Sequence, residues 1–294
     1  MRVKRRPNHR IDPLRDEHAY FLGLLATDGT IYEHTRNRGR VSFEIGAADA
    51  TILHRLATII PYKAHISERR RNTNFKMNYS SIVLTFHDLD LRRSLALLGY
   101  VSGKKAFSVR PPLAPFHENG FWRGVLDGDG SLGITGKNRP FVSLVTASEA
   151  LRNAYVAFLS SLTGSCPRPS RNTRDRVYNI VLFDEPAQAL AGSLYSPEVL
   201  AIPRKAEASR AIMAWRRPEG RRRITFERRR WAADEDRLVL LNISEADVAA
   251  KLGRTKASVS VRRWRLRLSA CDANAIRQSS VFKEHGVTGR TPTG

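Results

Sequence analysis

The chain carries one short pattern twice. FLGLLATDG (Phe21 to Gly29) and FWRGVLDGDG (Phe121 to Gly130) are each an apolar stretch with a small residue near its middle, closed by Asp-Gly. Gly23 and Thr27 in the first copy, and Gly124 and Gly128 in the second, have the spacing that shares one helix face. Small side chains on such a face let two helix backbones approach closely. Two such helices packed side by side would bring Asp28 next to Asp129. Gly29 and Gly130 suit a helix end in the left-handed conformation. Neither apolar run is long enough to span a bilayer, which argues against a membrane protein.

The copies extend well past this pattern. After Asp28-Gly29 come a basic turn and VSFEIGAADATILHRLA from Val41; after Asp129-Gly130 come a basic turn and VSLVTASEALRNAYVAFL from Val142. Arg71-Asn72-Thr73 recurs as Arg171-Asn172-Thr173, and SIVLTF (Ser81 to Phe86) is matched by NIVLF (Asn179 to Phe183). The alternation Val41-Ser42-Phe43-Glu44-Ile45 predicts a half-buried strand with one solvent face. Each unit therefore reads as helix, two strands, helix, two strands, helix. The expected fold is α+β: two pseudo-symmetric αββαββα repeats related by a pseudo-twofold axis, followed by a small all-α domain.

The chemistry implied by the repeat agrees with the charge. The formal net charge is +22 over 294 residues, the electrostatic footprint of a nucleic-acid binder. Arginine outnumbers lysine, which suits bidentate contacts to guanine edges and phosphates, although a GC-rich coding genome would give the same bias. Paired carboxylates in so basic a chain point to metal-dependent cutting of nucleic acid. With only Cys166 and Cys271 there is neither a disulfide framework nor a cysteine zinc site. The start MRVKRRPNHR lacks the apolar core of a secretory signal, so an intracellular protein (cytoplasm or nucleoid, phage-encoded genes included) is expected.

From Arg15 to Ala214 the chain resembles the LAGLIDADG homing endonucleases in their single-chain, two-motif form. The resemblance implies that Asp28 and Asp129 are catalytic carboxylates binding Mg²⁺ (or Mn²⁺), with Gly29 and Gly130 beside them at the metal. Copy one departs from the motif at Ala26, where copy two keeps Asp127. Asp127 reads as a hydrogen-bonding or capping residue rather than a ligand. GYVSGKKAFSV (Gly99 to Val109) and AIPRKAEAS (Ala201 to Ser209) look like the family's lysine-bearing segments. Lys104 and Lys205 match best there, with Lys105 and Arg204 as neighbours open to confusion with them. Such lysines stabilise developing phosphate charge, or simply lie solvated near DNA.

The resemblance further implies a saddle over double-stranded DNA, bound by a monomer. Arg36, Arg38, Arg40, Ser42, Glu44, Arg69 and Arg71 would read one half-site; Lys137, Arg139, Ser143, Arg171, Arg174 and Arg176 would read the other. The diverged repeats imply a long, non-palindromic target cut in both strands. The competing reading is a binding-only scaffold: a DNA-binding regulator, or a maturase whose partner is intron RNA. Asp127-x-Asp129 also occurs in metal-dependent glycosyltransferases, a reading that explains neither the repeat nor the charge.

Composition shifts after Trp215. RRPEGRRRITFERRR is an arginine-rich linker or an arm on phosphates. Beyond it, WAADEDRLVLLNISEADVAAKLGRTKASVSVRRWRLRL has helical periodicity, a capping pair in Ser244 and Asp247, and a turn at Gly253. It resembles a Myb/SANT-type helix-turn-helix. Trp231, Leu238, Val248, Leu252, Val259 and Trp264 would form its core, and Lys256, Ser258, Arg262 and Arg263 would contact nucleic acid from the third helix. The expected organisation is a basic arm (1–14), first repeat (15–110), second repeat (111–215), linker (216–230), helix-turn-helix (231–268) and tail (269–294).

Overall fold

The computed structural model describes residues 10–72, 77–103, 105–220, 231–264 and 266. They fall into two compact units, Met1–Glu219 and Gly220–Gly294. The larger unit is α+β. Its first half runs α1 (Asp16–Thr27), β1 (Gly29–Glu33), β2 (Gly39–Gly46), α2 (Thr51–Ile59), β3 (Ala64–Arg71), β4 (Tyr79–Phe86) and α3 (Leu89–Leu97). Its second half runs α4 (Glu118–Asp129), β5 (Gly130–Ile134), β6 (Pro140–Thr146), α5 (Glu149–Thr163), β7 (Tyr178–Phe183), α6 (Asp184–Leu194) and α7 (Pro203–Ala214).

Both sheets are antiparallel, in the orders β1-β2-β4-β3 and β5-β6-β7. Their registers correspond: Gly29 pairs with Phe43 in the first sheet, Gly130 with Leu144 in the second. Val41, Phe43 and Ile45 point into the core of one, Val142 and Leu144 into that of the other. Aromatic residues pack in the core of each half: Phe21 of α1 with Phe43 and Phe86 of the first sheet, and Trp122 of α4 with Tyr155 and Phe158 of α5 in the second half. Full burial of each such side chain contributes about 1.5–3 kcal/mol.

The second repeat departs from the expected αββαββα. Between α5 and β7 it has no strand equivalent to β3, only an isolated bridge from Arg171 to Tyr178. Pro167 and Pro169 explain the loss. Neither has an amide N–H to give to a ladder, and their spacing would put two gaps on one edge.

The two halves meet through α1 and α4. A Cβ on Gly23 would lie 2.1 Å from the Phe121 carbonyl oxygen, and one on Gly124 would lie 2.2 Å from the Tyr20 carbonyl oxygen. The contact is reciprocal: Tyr20, Gly23 and Leu24 meet Phe121, Gly124 and Val125, their own counterparts in the other copy. Arg123, buried in α4, ties the halves further. It donates to the Leu194 and Leu200 carbonyls at 3.0 and 2.8 Å and pairs with Asp16 of α1.

In the smaller unit α8 (Ala233–Leu240) and α9 (Glu245–Leu252) precede a third helical stretch beginning at residue 256. Ser244 accepts from the Asp247 amide to cap α9, Gly253 closes that helix with φ of 60°, and Thr255 accepts from the Ser258 amide. Val239, Val248, Ala249 and Val259 form the core, with Trp231, Leu252 and Leu266 against it. Two core expectations are corrected. Val239 is fully buried and Leu238 only partly so, because Val239 shares a face with the buried Glu235. Trp264 is 62 % exposed. It lies five positions past Val259, about 140° round the helix, whereas Leu266 returns to the core face.

Candidate active site

The site forms where α1 and α4 end together. Asp28 caps α1, Asp129 is the last residue of α4, and β1 and β5 leave directly from the glycines that follow. Those glycines are not left-handed, contrary to the expectation: neither has a positive φ. Their requirement is steric. A Cβ at Gly29 would lie 2.4 Å from Leu25 Cδ1, and one at Gly130 would lie 2.6 Å from the Leu126 carbonyl oxygen. The chain doubles back so tightly from helix to strand that only hydrogen fits.

Gly128 brings the carboxylates together. Its Cβ position would overlap Thr27 Oγ1 at 1.9 Å and sit 3.2 Å from Asp28 Oδ2. The Asp28 carboxylate therefore lies against the residue that precedes Asp129. Both carboxyls are held above their usual range, first because surrounding protein displaces water from them; for Asp28 the Asp129 charge adds to this. Both sit at helix C-termini, where the peptide dipoles also disfavour an anion. Lysines oppose this penalty at each carboxylate.

Those lysines are Lys105 and Lys205. Lys105 Nζ donates to the Leu25 and Gly29 carbonyls at 2.6 and 2.5 Å; Lys205 Nζ donates to Leu126, Asp127 and Gly130 at 2.6, 2.6 and 2.9 Å. They occupy matching positions in the two repeats, each closing the end of its own motif helix. Burial lowers the Lys105 ammonium to about 8, against the pull of Asp129 and Asp28, and lowers Lys205 as well. Lys205 is 4 % exposed, which rules out the solvated reading for that residue. Lys104 lies outside the described residues. Arg204 faces away to Asp49 of the first repeat at 2.8 Å.

Asp127 belongs to the scaffold. It is buried and accepts from Tyr20 Oη at 2.7 Å, Tyr195 Oη at 2.8 Å and the Ile202 amide at 2.7 Å. The Ile202 bond fixes the chain just before α7, and so helps to aim Lys205. Neither tyrosine was legible as a site-supporting residue; each was one aromatic among many.

Among the described residues no three His, Cys, Asp or Glu side chains cluster as a metal site. The donor set here is two carboxylates and backbone carbonyls, all oxygen. That set would suit a hard divalent cation, which takes oxygen ligands. Such a cation also relieves the repulsion that raises both carboxyls. The Gly29 and Gly130 carbonyls already accept from the lysines, so their contribution to a metal is limited to a second lone pair.

The expected DNA-reading residues are spread over very different surroundings. Arg36 lies in the β1–β2 turn with φ of 59°, and Arg38 is 3.4 Å from His34 Nδ1. Arg40, Ser42 and Glu44 share the outer face of β2, with Arg40 over the Tyr32 ring. Glu44 is held by Arg69, Arg71 and Ser81 at 3.2, 3.0 and 2.8 Å. In the second repeat Lys137 is exposed in the β5–β6 turn, and Ser143 lies on the outer face of β6. Arg139 is gripped by Asp184 through two bonds, at 3.0 and 2.7 Å, and stacks over Phe183. Arg174 pairs with Asp175, Arg171 lies over Tyr178, and Arg176 is exposed.

In the smaller unit Lys256 is exposed and Ser258 partly so. Arg262 is tied to Asp236 at 2.6 Å, and Arg263 donates to the Val239 and Ile243 carbonyls. These two arginines pin the third helical stretch to α8. Sequence could not show which arginines have a local partner, because the partners come from other strands and helices.

Comparison with protein families finds no matching family, and comparison with curated proteins finds no match. Among solved structures, the chain is similar to mesophilic variants of the homing endonuclease I-DmoI (18 % identity, TM-score 0.48, covering 67 % of this chain and 98 % of that one). It is also similar to the homing endonuclease I-WcaI bound to its DNA recognition sequence (14 % identity, TM-score 0.46, covering 68 % and 87 %). A third is the I-LtrWI LAGLIDADG homing endonuclease bound to target DNA (8 % identity, TM-score 0.40, covering 64 % and 86 %).

Proposed function

We propose that the chain is a site-specific DNA endonuclease that cuts both strands of a long, non-palindromic duplex target. One observation carries the reading: two carboxylates, Asp28 and Asp129, share a reciprocal helix junction with one buried lysine, Lys205, and one half-buried lysine, Lys105, in a chain of net charge +22. A structural junction gains nothing from two adjacent acids at helix C-termini, where both dipole and burial oppose them. Function accounts for that cost.

Asp28 and Asp129 would hold Mg²⁺ or Mn²⁺, which supplies an activated water and neutralises charge on the leaving 3′ oxygen. The chain's own residues do the rest. Gly23, Gly124 and Gly128 set the carboxylate spacing. Lys105 and Lys205 fix the helix ends and add positive charge where phosphate must approach. The outer faces of the two sheets begin at Thr30 and Ser131, immediately after the carboxylates, so a duplex over the acids continues onto both faces. The net charge draws the polyanion in through counterion release. We assign residues 15–110 and 111–215 as the two half-site readers. The smaller unit, as a Myb/SANT-like helix-turn-helix, would use Lys256 and Ser258 for further nucleic-acid contact. Tethered to the larger unit, it would gain effective concentration.

The test is cleavage of a plasmid library carrying sequence from around the gene, including the uninterrupted insertion site, with Mg²⁺ and with chelator. Metal-dependent cutting at one sequence supports the reading. Sequence-specific binding with no cutting under any divalent metal would instead assign the chain as a DNA-binding regulator or an RNA maturase.

A further inference from the structure

The outer faces of the two sheets differ in chemistry at matching positions. On β2 the outward residues are Arg40, Ser42 and Glu44; at the same register on β6 stand Phe141, Ser143 and Val145. Across the ladder, Ser143 meets Val181 and Phe141 meets Phe183 on that face. Val145 and Phe183 are about 40 % exposed (41 % and 39 %). An ionic lattice in the first sheet, Glu44 with Arg69 and Arg71, thus has as its counterpart in the second a mainly apolar surface, interrupted by Ser143 and by Asn179 opposite Val145, with Arg139 over the Phe183 ring.

This surface is continuous with the carboxylate pair. β5 starts at Gly130, directly after Asp129, and its outward Ser131 pairs with Ser143 in the middle of the apolar face. Cations rim it: Arg171 and Arg176 precede β7, and Lys137 lies in the β5–β6 turn. An apolar centre with a cationic rim matches a polyanion that exposes apolar groups. In a duplex major groove the exposed apolar group is the C5-methyl of thymine, and aliphatic or aromatic side chains read it by contact. Charged side chains such as those of the first sheet read hydrogen-bonding edges instead.

We propose that the second sheet recognises its half of the target mainly through thymine methyl groups, using Phe141, Val145, Val181 and Phe183. The first sheet reads its half by hydrogen bonds. The target is then chemically asymmetric as well as non-palindromic, with a thymine-dependent half beside repeat two. The proposal rests on the DNA-cutting reading above.

Deoxyuridine tests it, since it differs from thymidine only by lacking that methyl. Bound sites are first selected from a random duplex library with the full chain. Thymidine is then replaced by deoxyuridine in one half at a time, with footprinting to assign the halves. Removing one buried methyl costs roughly fourfold in binding. Replacement in the repeat-two half should therefore weaken binding on the order of tenfold or more, and in the repeat-one half less than about twofold. The variants Phe141→Arg, at a half-buried outward position, and Val145→Glu, at an exposed one, import the repeat-one residues and should abolish the deoxyuridine penalty. Specific binding that is equally indifferent to deoxyuridine in both halves overturns the proposal and leaves the nuclease reading intact. No sequence-specific duplex binding at low salt overturns the nuclease reading itself. Self-association that disappears in the two variants would overturn the proposal in favour of a second copy on this face.

Discussion

The two repeats agree where backbones touch and disagree where side chains face outward. Where the α1 and α4 backbones touch, Tyr20, Gly23 and Leu24 have their counterparts in Phe121, Gly124 and Val125, and the carboxylates and capping lysines match as well. On the sheets, Arg40 and Glu44 correspond to Phe141 and Val145, and one strand of four is missing. The reason is physical. A backbone-to-backbone contact has no side chain that can adjust, so one added carbon forces the helices apart. An outward strand position has room, so its residue can differ between the repeats without moving the backbone. The junction is therefore what the two repeats share, and the outer faces of the sheets are where they differ.

The largest effect is expected from Gly124→Val, whose Cβ would strike the Tyr20 carbonyl. Chemical denaturation should show a loss of about 3 kcal/mol or more, or no folded protein. Gly133→Ala, with only an ordinary contact to the Phe141 ring at 3.5 Å, should change stability by less than about 0.5 kcal/mol. Equal effects at the two glycines would remove the distinction between junction and sheet.

Next come the lysines. Lys205→Met leaves three carbonyls without their donor and should cost about 2–3 kcal/mol; Lys105→Met, which frees two in a half-buried setting, should cost about 1 kcal/mol. If neither change is felt in unfolding curves, the lysines do not secure the helix ends. On the sheets, Glu44→Gln should lose about 0.5–1 kcal/mol by weakening three contacts, whereas Val145→Thr should be close to neutral. A neutral Glu44→Gln would mean that the ionic lattice of the first sheet is idle in the free protein.

A smaller effect is expected at His18, which only the first repeat has. Its imidazole is buried, with Nδ1 accepting from the Asp12 amide, and burial followed by the Arg15 charge lowers its pKa. In the unfolded chain it takes up a proton as pH falls through about 6.5; in the fold it does so only at lower pH. The unfolded state thus binds more protons in that window, and stability must fall as pH drops from about 7. Differential scanning calorimetry of His18→Gln should show a shallower decline, by at most about 1.4 kcal/mol per pH unit. An unchanged slope would place the titration elsewhere.

Much of this was legible in the sequence because a repeat shows its equivalences without a structure. The paired Asp-Gly ends, the small residues at Gly23 and Gly124, and the alternation at Val41 to Ile45 each follow from periodicity. The proline pair at Pro167 and Pro169 was also visible and argued against an eighth strand, but the repeat suggested one. Gly29 and Gly130 had the right residue for the wrong reason: tight chain reversal onto Leu25 and Leu126, not a left-handed turn. The lysine of the first repeat was ambiguous by one position, since Lys105 lies in an irregular segment with no period to fix its register. Arginine partners such as Asp184 and Asp236 come from tertiary contacts, which no local pattern encodes. Most of the N-terminal arm (residues 1–9), most of the linker, the tail and Cys271 lie outside the described residues.

The central claim is that Asp28 and Asp129 act as a catalytic pair on one duplex. The most direct measurement is cleavage of a supercoiled plasmid bearing the selected site by wild type, Asp28→Asn and Asp129→Asn, in Mg²⁺, with binding followed in parallel. Linear product is expected from wild type only, with both variants binding the same site and losing double-strand cutting by about a hundredfold or more, on the order of other single catalytic-group losses. Full linearisation by either variant would contradict the claim.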